Sequence, residues 1–309
     1  MTSITSRPYR DDRDYQQMRR LLQQTYALAG PAVQCTVGDL DFWRFQYTEP
    51  NQVMQSCQLW LATNQSVVGF SWPGFDLDGH AVIDLVVHPH HTGLFVPMLV
   101  WAETWHEQQL PAETASVEVT TCAFEHDVQW TDRLEQRGYT RTTYRWHYVR
   151  SLSTRITAPV LPPSYSLRDV EPEHDVPHVV EVNSRSAPGS LFTDATYRAM
   201  LNAPTSRPDL HLVVAVPDPS FAAFCIIWYD EDNRVGLFEP VGCHPDHQRR
   251  GLATAMMSEG LRRLKHLGAT HALVATGANN APANALYTSL GFQVAGRNWI
   301  WHKTIERRG

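Results

Sequence analysis

The sequence contains few cysteines, and they form no pattern. No two of the five have the Cys-x-x-Cys spacing, and they stand far apart, at Cys35, Cys57, Cys122, Cys225 and Cys243. An odd number of scattered cysteines argues against a disulfide framework and against a structural zinc site. It is also typical of proteins in a reducing compartment.

The sequence also lacks a long apolar run and an excess of basic residues. Its longest apolar run, near 94–101, is interrupted by Pro97 and is far shorter than the roughly 20 residues that a membrane-spanning helix needs. The formal net charge of −6 gives no general attraction for nucleic acid or an anionic membrane. The N-terminal segment is polar and mixed in charge, unlike a signal peptide. We therefore expect a cytoplasmic protein, a monomer or a homodimer, that binds neither nucleic acid nor membranes.

The chain does contain one order of structural elements, and that order is present twice. Apolar periodicity predicts β-α-β-β-β-α-β-α-β on either side of a stretch rich in Ser, Thr and Pro. Each half begins with an extended segment and an Arg-Asp pair. We predict two domains, 1–150 and 165–309, joined by a linker at 151–164. Strands and helices in this order predict an α/β (α+β) fold with a mixed sheet.

The third strand of each half ends in His-Pro, and a helix follows it, predicted at Val96–Gln109 and at Leu252–Leu267. In the second half the intervening loop reads "QRRG". A glycine there permits a tight turn and close approach to a ligand, and the first turn of a helix presents unpaired N–H groups to an anion. Two arginines add charged donors. The loop predicts phosphate binding, although an ordinary strand–turn–helix with a glycine explains the same residues.

Two motifs in the second half resemble those of one enzyme superfamily. "QRRGLA" resembles the Gln/Arg-x-x-Gly-x-Gly/Ala loop of the GNAT N-acetyltransferases, and "NNAPANALYTSLGF" resembles their next signature, Asn-x-x-Ala-x-x-Leu-Tyr-x-x-Leu-Gly-Phe. The motifs occur in the family's order and at about its separation. The resemblance covers about Tyr165–Lys303, and the first half shares only the order of elements. It implies two tandem GNAT-like domains, of which the second binds acetyl-CoA.

The resemblance also implies which residues hold acetyl-CoA, the co-substrate. The strand Glu239–Cys243 is expected to splay from Ala272–Thr276 and to leave an opening for the pantetheine arm, while the loop amides hold the pyrophosphate. The residues expected to bind acetyl-CoA are Val241, Gly242, Cys243, Gln248, Arg249, Arg250, Gly251, Leu252, Ala253, Asn280, Asn284 and Tyr287.

Two catalytic residues follow from the same resemblance. Glu239 is the expected general base, because an amine must lose a proton before it attacks a thioester. Tyr287 is the expected acid, whose hydroxyl protonates the departing thiolate. Each has a simpler alternative: Glu239 as a solvated carboxylate at a strand end, and Tyr287 as a core tyrosine. Cys243 fits a small residue on a buried strand better than a nucleophile.

The first half lacks most of this chemistry. With His88–Pro89 aligned on His244–Pro245, its loop is two residues shorter before the glycine, and Ile83 falls where Glu239 stands. Aligning Gly138 on Gly291 places Leu134 where Tyr287 stands. We therefore expect a degenerate domain that supports the acceptor cleft without using acetyl-CoA.

Three histidines in that shorter loop, His88, His90 and His91, suggest a metal site. The second half has the same His-Pro-x-His spacing in a loop that is explained without metal. We therefore expect no metal, and we interpret the cluster as the first half's version of the phosphate-binding turn.

The acceptor site is the least defined part of the sequence. In GNAT folds the acceptor meets segments that correspond to about Asn183–Tyr197 and Ala295–Trp299. The side chains expected there are Phe192, Tyr197, Trp228, Arg297 and Trp299. Aromatic walls suit a small, partly apolar amine.

The leading hypothesis is an N-acetyltransferase that transfers acetyl from acetyl-CoA to a small amine by direct attack in a ternary complex. One alternative is acetylation of a sugar amine, as in mycothiol synthase, which is also a tandem GNAT with its active copy second. Another is a non-catalytic acyl-CoA sensor, against which Glu239 and Tyr287 argue. An aminoacyl-tRNA-dependent transferase needs a basic face for RNA, and the acidic chain has no evident one.

Overall fold

A computed structural model describes residues 4–47, 49–76, 79–111, 113–217 and 220–307. Its strands are β1 (Thr5–Pro8), β2 (Gln58–Leu61), β3 (Val67–Phe75), β4 (Ala81–Val87), β5 (Ser116–Phe124), β6 (Thr140–Ser151), β7 (Ser166–Asp169), β8 (His211–Ala215), β9 (Phe221–Asp230), β10 (Val235–Cys243), β11 (His271–Gly277) and β12 (Gln293–Glu306). Its α-helices are α1 (Asp12–Ala29), α2 (Val37–Phe45), α3 (Pro50–Val53), α4 (Phe95–Gln109), α5 (Val128–Gln136), α6 (Val176–Ser186), α7 (Asp194–Leu201), α8 (Leu252–His266) and α9 (Ala281–Ser289).

The chain divides into two compact units. The first groups the described residues of Met1–Thr36, Asn51–His147 and Ala295–Gly309, and the second those of Val37–Pro50 and Tyr148–Val294. These units cross the predicted division of the chain at three places, 37–50, 148–150 and the segment after Val294. The 37–50 segment joins the second unit because α2 packs on its helices and strands. The C-terminal segment joins the first unit because β12 pairs with β5 along nine residues.

The sheet of the first unit has the strand order β1-β2-β3-β4-β5-β12-β6. Antiparallel pairing runs from β1 to β4, β4 and β5 are parallel, and β5 and β12 are antiparallel. Helix α4 buries Met98, Leu99 and Ala102 completely against this sheet. The predicted mixed α/β fold is therefore confirmed, and the predicted helix at Val96–Gln109 begins one residue earlier, at Phe95.

The second unit repeats the arrangement with the order β7-β8-β9-β10-β11, and the part of β6 from Tyr148 onward belongs to it. All ten residues of β9 are buried, as expected for a central strand covered on both faces. Each half of the chain has a second helix before its first hairpin, α2 in the first half and α7 in the second, which the predicted order of elements omitted. The linker was predicted at 151–164; Ser151 is the last residue of β6, and residues 152–164 contain neither helix nor strand.

One ion pair recurs at the start of both units. Arg7 forms a bidentate pair with Asp14, and Arg168 forms the same pair with Asp175. In both, the backbone N–H three residues after the arginine also donates to the carboxylate. The equivalent arginines are therefore Arg7 and Arg168, and the pair ties the first strand of each unit to its first helix.

The turns that end the third strands are also equivalent. His88 and His244 have nearly the same backbone angles, and the side chain of each accepts a hydrogen bond from the N–H two residues later, at 3.2 Å. Asp127 and Asn280 likewise cap α5 and α9, each through an N–H three residues on at 3.2 Å. The alignment of His88 with His244 is confirmed, and in both turns the histidine caps the short helical turn that follows it.

The end of the last helix is equivalent in the two units as well. The N–H of Tyr139 donates to the carbonyl of Leu134, with the positive-φ Gly138 between them. In the same way, the N–H of Phe292 donates to the carbonyl of Tyr287, with the positive-φ Gly291 between them. The alignment of Leu134 with Tyr287 is therefore confirmed.

The alignment of Ile83 with Glu239 is wrong. Strand β10 places two residues, Glu239 and Pro240, opposite one residue of β9, whereas β4 pairs with β3 without any such insertion. Counted along the paired strands from the His-Pro turn, Ile83 corresponds to Phe238 and Asp84 corresponds to the bulge. A β-bulge adds a residue that sequence alignment by spacing cannot show. An acidic residue therefore stands at this place in both units.

The repeated ion pair predicts a measurable stability effect. We expect Asp175→Asn to lower the free energy of unfolding by about 1.5–3 kcal/mol, the usual contribution of hydrogen bonds to a charged group. Its carboxylate is almost fully buried and accepts from Arg168 and from the N–H of Glu171. Urea denaturation measures the change.

The matched control for Asp175→Asn is Glu135→Gln. Glu135 forms an ion pair with Arg141 in which both side chains are exposed, so we expect a loss of about 0.5 kcal/mol or less. Equal losses for the two variants would contradict the assignment.

Candidate active site

The second unit contains an opening between two parallel strands. β10 and β11 are paired only from Val235 to Leu237 and from His271 to Leu273. The bulge at Glu239 and Pro240 follows directly, and beyond it β10 pairs with β9 alone. The divergence of Glu239–Cys243 from β11 is therefore present as the resemblance implied. It leaves backbone N–H and C=O groups of β10 facing the gap between the strands.

A cavity of about 840 Å³ lies at this opening. It is lined by the end of β10, the loop before α8, the start of α8, the helix α9 and the end of α6. Ten of the twelve residues expected to bind acetyl-CoA line it: Val241, Gly242, Cys243, Gln248, Arg249, Gly251, Leu252, Ala253, Asn280 and Tyr287.

The loop before α8 exposes backbone donors to the cavity. Gly251 caps the helix in the left-handed conformation (φ +77°) and supplies no side-chain acceptor, and Arg249 is also left-handed (φ +59°). The N–H groups of the first turn of α8 therefore have neither an acceptor within the helix nor a capping side chain. Such a turn is suited to an anion. A Cβ at Gly251 meets no protein atom within 4 Å.

The two arginines of the loop differ in placement. Arg249 lines the cavity, whereas the Arg250 guanidinium donates to the hydroxyl of Tyr165 at 2.9 Å and to the carbonyl of Asp246 at 3.1 Å. Tyr165 also hydrogen-bonds His247 at 3.0 Å. Arg250 thus holds the loop in place, and it is outside the described residues that line the cavity.

Tyr287 lines the cavity, and the charge of Glu239 reaches its phenol, although Glu239 is outside the described residues that line the cavity. Tyr287 is 5 % exposed, with its ring against Phe292 and Tyr148. Burial, and then the charge of Glu239, raise the pKa of the Tyr287 phenol. Glu239 is half-buried, and its backbone carbonyl accepts from the Trp228 indole. The tyrosine is therefore neutral at physiological pH and lies within electrostatic reach of the carboxylate.

The two asparagines of α9 have structural hydrogen bonds. The Asn280 side chain accepts from the N–H of Ala283 and caps the helix while it lines the cavity. Asn284 donates to the carbonyls of Gly277 and Ala278, each at 3.3 Å, and accepts from the hydroxyl of Tyr148 at 2.7 Å. Asn284 is outside the set of described residues that line the cavity.

Gly242 and Cys243 form the wall on the β10 side. A Cβ on Gly242 would lie 2.4 Å from both the Phe224 ring and the Ser186 hydroxyl, so only glycine fits there. Cys243 is partly buried, and burial raises the pKa of its thiol. The thiolate is disfavoured, which agrees with a wall residue rather than a nucleophile.

Three residues expected at the acceptor site belong to the core of the second unit. Phe192, Tyr197 and Trp228 are 7 %, 0 % and 1 % exposed. The Tyr197 hydroxyl lies 3.0 Å from the His211 ring. Phe42 of α2 packs against the rings of Phe192 and Trp228. An aromatic residue near a site serves as wall or core depending on packing that only the folded unit reveals.

The other two expected acceptor residues belong to the first unit. Arg297 pairs with Glu125 at 2.9 Å and lies over the rings of Tyr144 and Trp146. Trp299 packs against Tyr144. The five expected side chains are therefore not gathered within one unit.

Several residues that line the cavity were not predicted individually from the sequence. Asn183 and Ser186 of α6 line the cavity, as do Ala187, which follows α6, and Phe224 of β9. The α6 residues fall at the start of the segment expected to meet the acceptor. The sequence pattern that could have predicted them is the change from buried valines to small polar residues along one helix face. Nothing in the sequence beyond a strand pattern pointed to Phe224.

The clustered histidines have no metal geometry. In the described part of the chain, no group of three His, Cys, Asp or Glu side chains is placed to hold a metal ion. The ring of His88 contacts those of His90 and His91. None of the helices among the described residues has the length and hydropathy to span a bilayer.

The cavity lies within a recognised domain. Residues 177–292 match the Acetyltransferase (GNAT) family, and they form a domain of that acetyltransferase family. The range includes β10, the loop before α8, and α9, which together line the cavity.

Two relatives carry a more particular name. The mycothiol acetyltransferase of Corynebacterium aurimucosum is 33 % identical over 88 residues, which are 28 % of this chain and 29 % of that protein. The mycothiol acetyltransferase of Saccharopolyspora erythraea is 26 % identical over 225 residues, 69 % of this chain and 73 % of that protein. The chain thus spans less than a third of the first relative and under three quarters of the second.

A solved structure shares the fold over nearly the whole chain. The tandem GNAT protein from the clavulanic acid biosynthesis pathway superposes with a TM-score of 0.70 and 18 % identity, covering 99 % of both chains. The likeness extends the GNAT fold to both halves of the chain.

The buried His211 predicts sensitivity to acid. Burial lowers its pKa to about 3, while Tyr197 and Ser206 hydrogen-bond its two ring nitrogens. Between about pH 6.5 and pH 3 the unfolded chain binds a proton at this histidine that the folded chain does not. We expect the contribution of His211 to the free energy of unfolding to be fully present above about pH 6.5. It should be lost as the pH falls from about 6.5 to about 3.

His211→Gln tests this contribution. The wild-type protein should lose up to about 1.4 kcal/mol of unfolding free energy per pH unit more than the variant, measured by urea denaturation at several pH values. The matched control is His266→Gln, since His266 is exposed and should leave the pH dependence unchanged. Identical profiles for His211→Gln and wild type would refute the assignment.

Proposed function

We propose that the protein is an acetyl-CoA-dependent N-acetyltransferase that acts on a small amine, with its active site in the cavity of the second unit. The observation that carries the proposal is the divergence of β10 from β11 next to the uncapped start of α8. A backbone edge and an anion-binding turn border one cavity of about 840 Å³. These features match an extended ligand that is polar along its length and anionic at one end.

In this proposal, the first turn of α8 and the amides of the loop from Gln248 bind the pyrophosphate of acetyl-CoA, with Arg249 adding a charged donor. The free edge of β10 at Val241–Cys243 pairs with the amides of the pantetheine arm. Gly242 keeps this edge flat because Phe224 and Ser186 occupy the space where a side chain would lie.

Acetyl transfer requires that the amine lose a proton and that the leaving thiolate gain one. Glu239 accepts a proton from the amine, directly or through water, and the amine nitrogen then bonds to the acetyl carbon. A backbone N–H of Val241–Cys243 stabilises the oxyanion. The C–S bond breaks, and the Tyr287 hydroxyl protonates the leaving thiolate. Because the raised pKa keeps Tyr287 protonated, the acid is in the form that the step requires.

The acceptor is a small-molecule amine in this proposal. The relatives named mycothiol acetyltransferase favour a sugar amine as the second candidate, by name alone. Asn183, Ser186 and Ala187 give the α6 side of the cavity two polar side chains beside a small apolar one, which suits an acceptor with hydroxyl groups.

The first unit has a structural role in this proposal. Its cavity at the corresponding place has a volume of about 200 Å³, about a quarter of that in the second unit. Leu134 replaces the acid, and the turn after His88 lacks the left-handed glycine cap of α8. Asp84 retains an acidic group at the position that corresponds to the bulge of β10.

Coenzyme A binding is the first test. We expect calorimetry to give one coenzyme A per chain for the wild-type protein and at least a 100-fold weaker affinity for Gly251→Trp. Gly251 has a left-handed backbone conformation, and a tryptophan side chain there would project into the open space beside the loop. In this proposal that loop binds the pyrophosphate. Gly93→Trp is the matched control in the first unit, where a Cβ also meets no atom within 4 Å. A wild-type protein that does not bind coenzyme A would overturn the proposal.

Turnover is the second test, followed by thiol release from acetyl-CoA across a panel of amines that includes glucosamine. We expect Glu239→Gln and Tyr287→Phe each to lower kcat by about 10²–10⁴-fold, the usual range for general acid–base groups, and to change coenzyme A affinity by less than about threefold. Full rates in both variants would show the catalytic roles to be wrong. Tight coenzyme A binding without turnover on any amine would favour a sensor.

A further inference from the structure

We propose that Tyr148 is a positioning residue for Tyr287, and that it acts through a ring contact and through a hydrogen bond to Asn284. The inference rests on the proposed role of Tyr287 as the acid. Tyr148 lies in β6, outside the GNAT match at residues 177–292, and neither sequence motif contains it.

The ring contact is direct. Tyr148 is 5 % exposed, and its ring meets the Tyr287 ring edge-on, with centroids 5.8 Å apart and planes at 67°. Phe292 packs on the Tyr287 ring at 6.1 Å. Aromatic pairs in this geometry contribute about 0.5–1.5 kcal/mol beyond the area they bury. The two contacts restrict the place of the Tyr287 ring.

The hydrogen bond links Tyr148 to the helix that carries Tyr287. The Tyr148 hydroxyl donates to the side-chain amide oxygen of Asn284 at 2.7 Å. Asn284 in turn donates to the carbonyls of Gly277 and Ala278, so one side chain joins β6, the end of β11 and α9. Tyr287 lies three residues after Asn284 on α9, about one helical turn away. The hydrogen bond therefore fixes the helix from which the acid projects.

The same contacts control the polarity around the phenol. The groups that face it are Tyr148 from β6, Glu239 from β10 and Cys225 from β9. Burial is the largest reason why the pKa of Tyr287 is raised. Because the Tyr148 ring covers one side of Tyr287, its truncation admits water and stabilises the phenolate. A tyrosine that served packing alone would change stability without this effect on ionisation.

The test follows the ionisation of Tyr287 directly. Tyrosine labelled with ¹³C at Cζ is incorporated into the wild-type protein, Tyr148→Leu, Tyr148→Phe and Asn284→Ala, each saturated with coenzyme A. The Tyr287 signal is the one absent from Tyr287→Phe. We expect it to remain that of a neutral phenol up to pH 11 in the wild type, and to titrate at least one pH unit lower in Tyr148→Leu than in the wild type.

Two variants separate the ring from the hydrogen bond and guard against misfolding of Tyr148→Leu. Tyr148→Phe keeps the ring and should leave the titration close to that of wild type, while Asn284→Ala keeps Tyr148 and should move the Tyr287 chemical shift at neutral pH. Tyr144→Leu, in the same strand, is the matched control with no change expected. An unchanged shift and titration in both Tyr148→Leu and Asn284→Ala would overturn the inference.

Kinetics separate this inference from the proposed function. With the amine found active in the panel, we expect Tyr148→Leu to lower kcat about tenfold and to leave the KM for acetyl-CoA within about twofold. A fully active Tyr287→Phe would remove the acid role whatever the NMR result. An impaired Tyr287→Phe together with a wild-type Tyr148→Leu would reject only the positioning role.

Discussion

The site depends on one interruption of backbone pairing. β10 and β11 are held together for three residue pairs and then separate where β10 takes an extra residue against β9. A continuous parallel ladder would satisfy the backbone groups of both strands and leave no space between them. The separation creates the cavity and also an edge of β10 that does not pair with β11. The loop before α8, the start of α8 and the helix α9 then line the gap that the separation of the two strands creates.

The two units show how much of such a domain is independent of its chemistry. Both have the bidentate ion pair at the first strand, the histidine that caps the turn after the third strand, and the same cap on the last helix. These contacts hold a strand, a turn and a helix in register whatever ligand is present. The first unit keeps all of them, and its cavity at the corresponding place is the smaller one. The scaffold of the repeat is therefore separable from the bulge, the loop and the tyrosine.

Local sequence patterns predicted much of the fold and part of the candidate site. Apolar periodicity placed α4 and α8 to within one residue, and the two motifs identified the loop around Gly251 and the helix that carries Tyr287. The bulge was invisible because spacing does not reveal which residues of two strands oppose each other, and this misaligned Ile83. Helix α2 was missed because its short apolar segment is buried against elements far away in sequence. Tyr197 was expected at a site but is core, since exposure depends on the whole fold.

The exchange of chain segments between the units has a consequence for how such a protein changes over generations. The first unit contains the C-terminal strand β12, and the second contains α2 and the end of β6. Each half of the gene thus encodes part of both folded bodies. The first half cannot be removed from the chain without taking α2 and the end of β6 from the second unit. The two halves of the chain are in this sense obligatory components of each other.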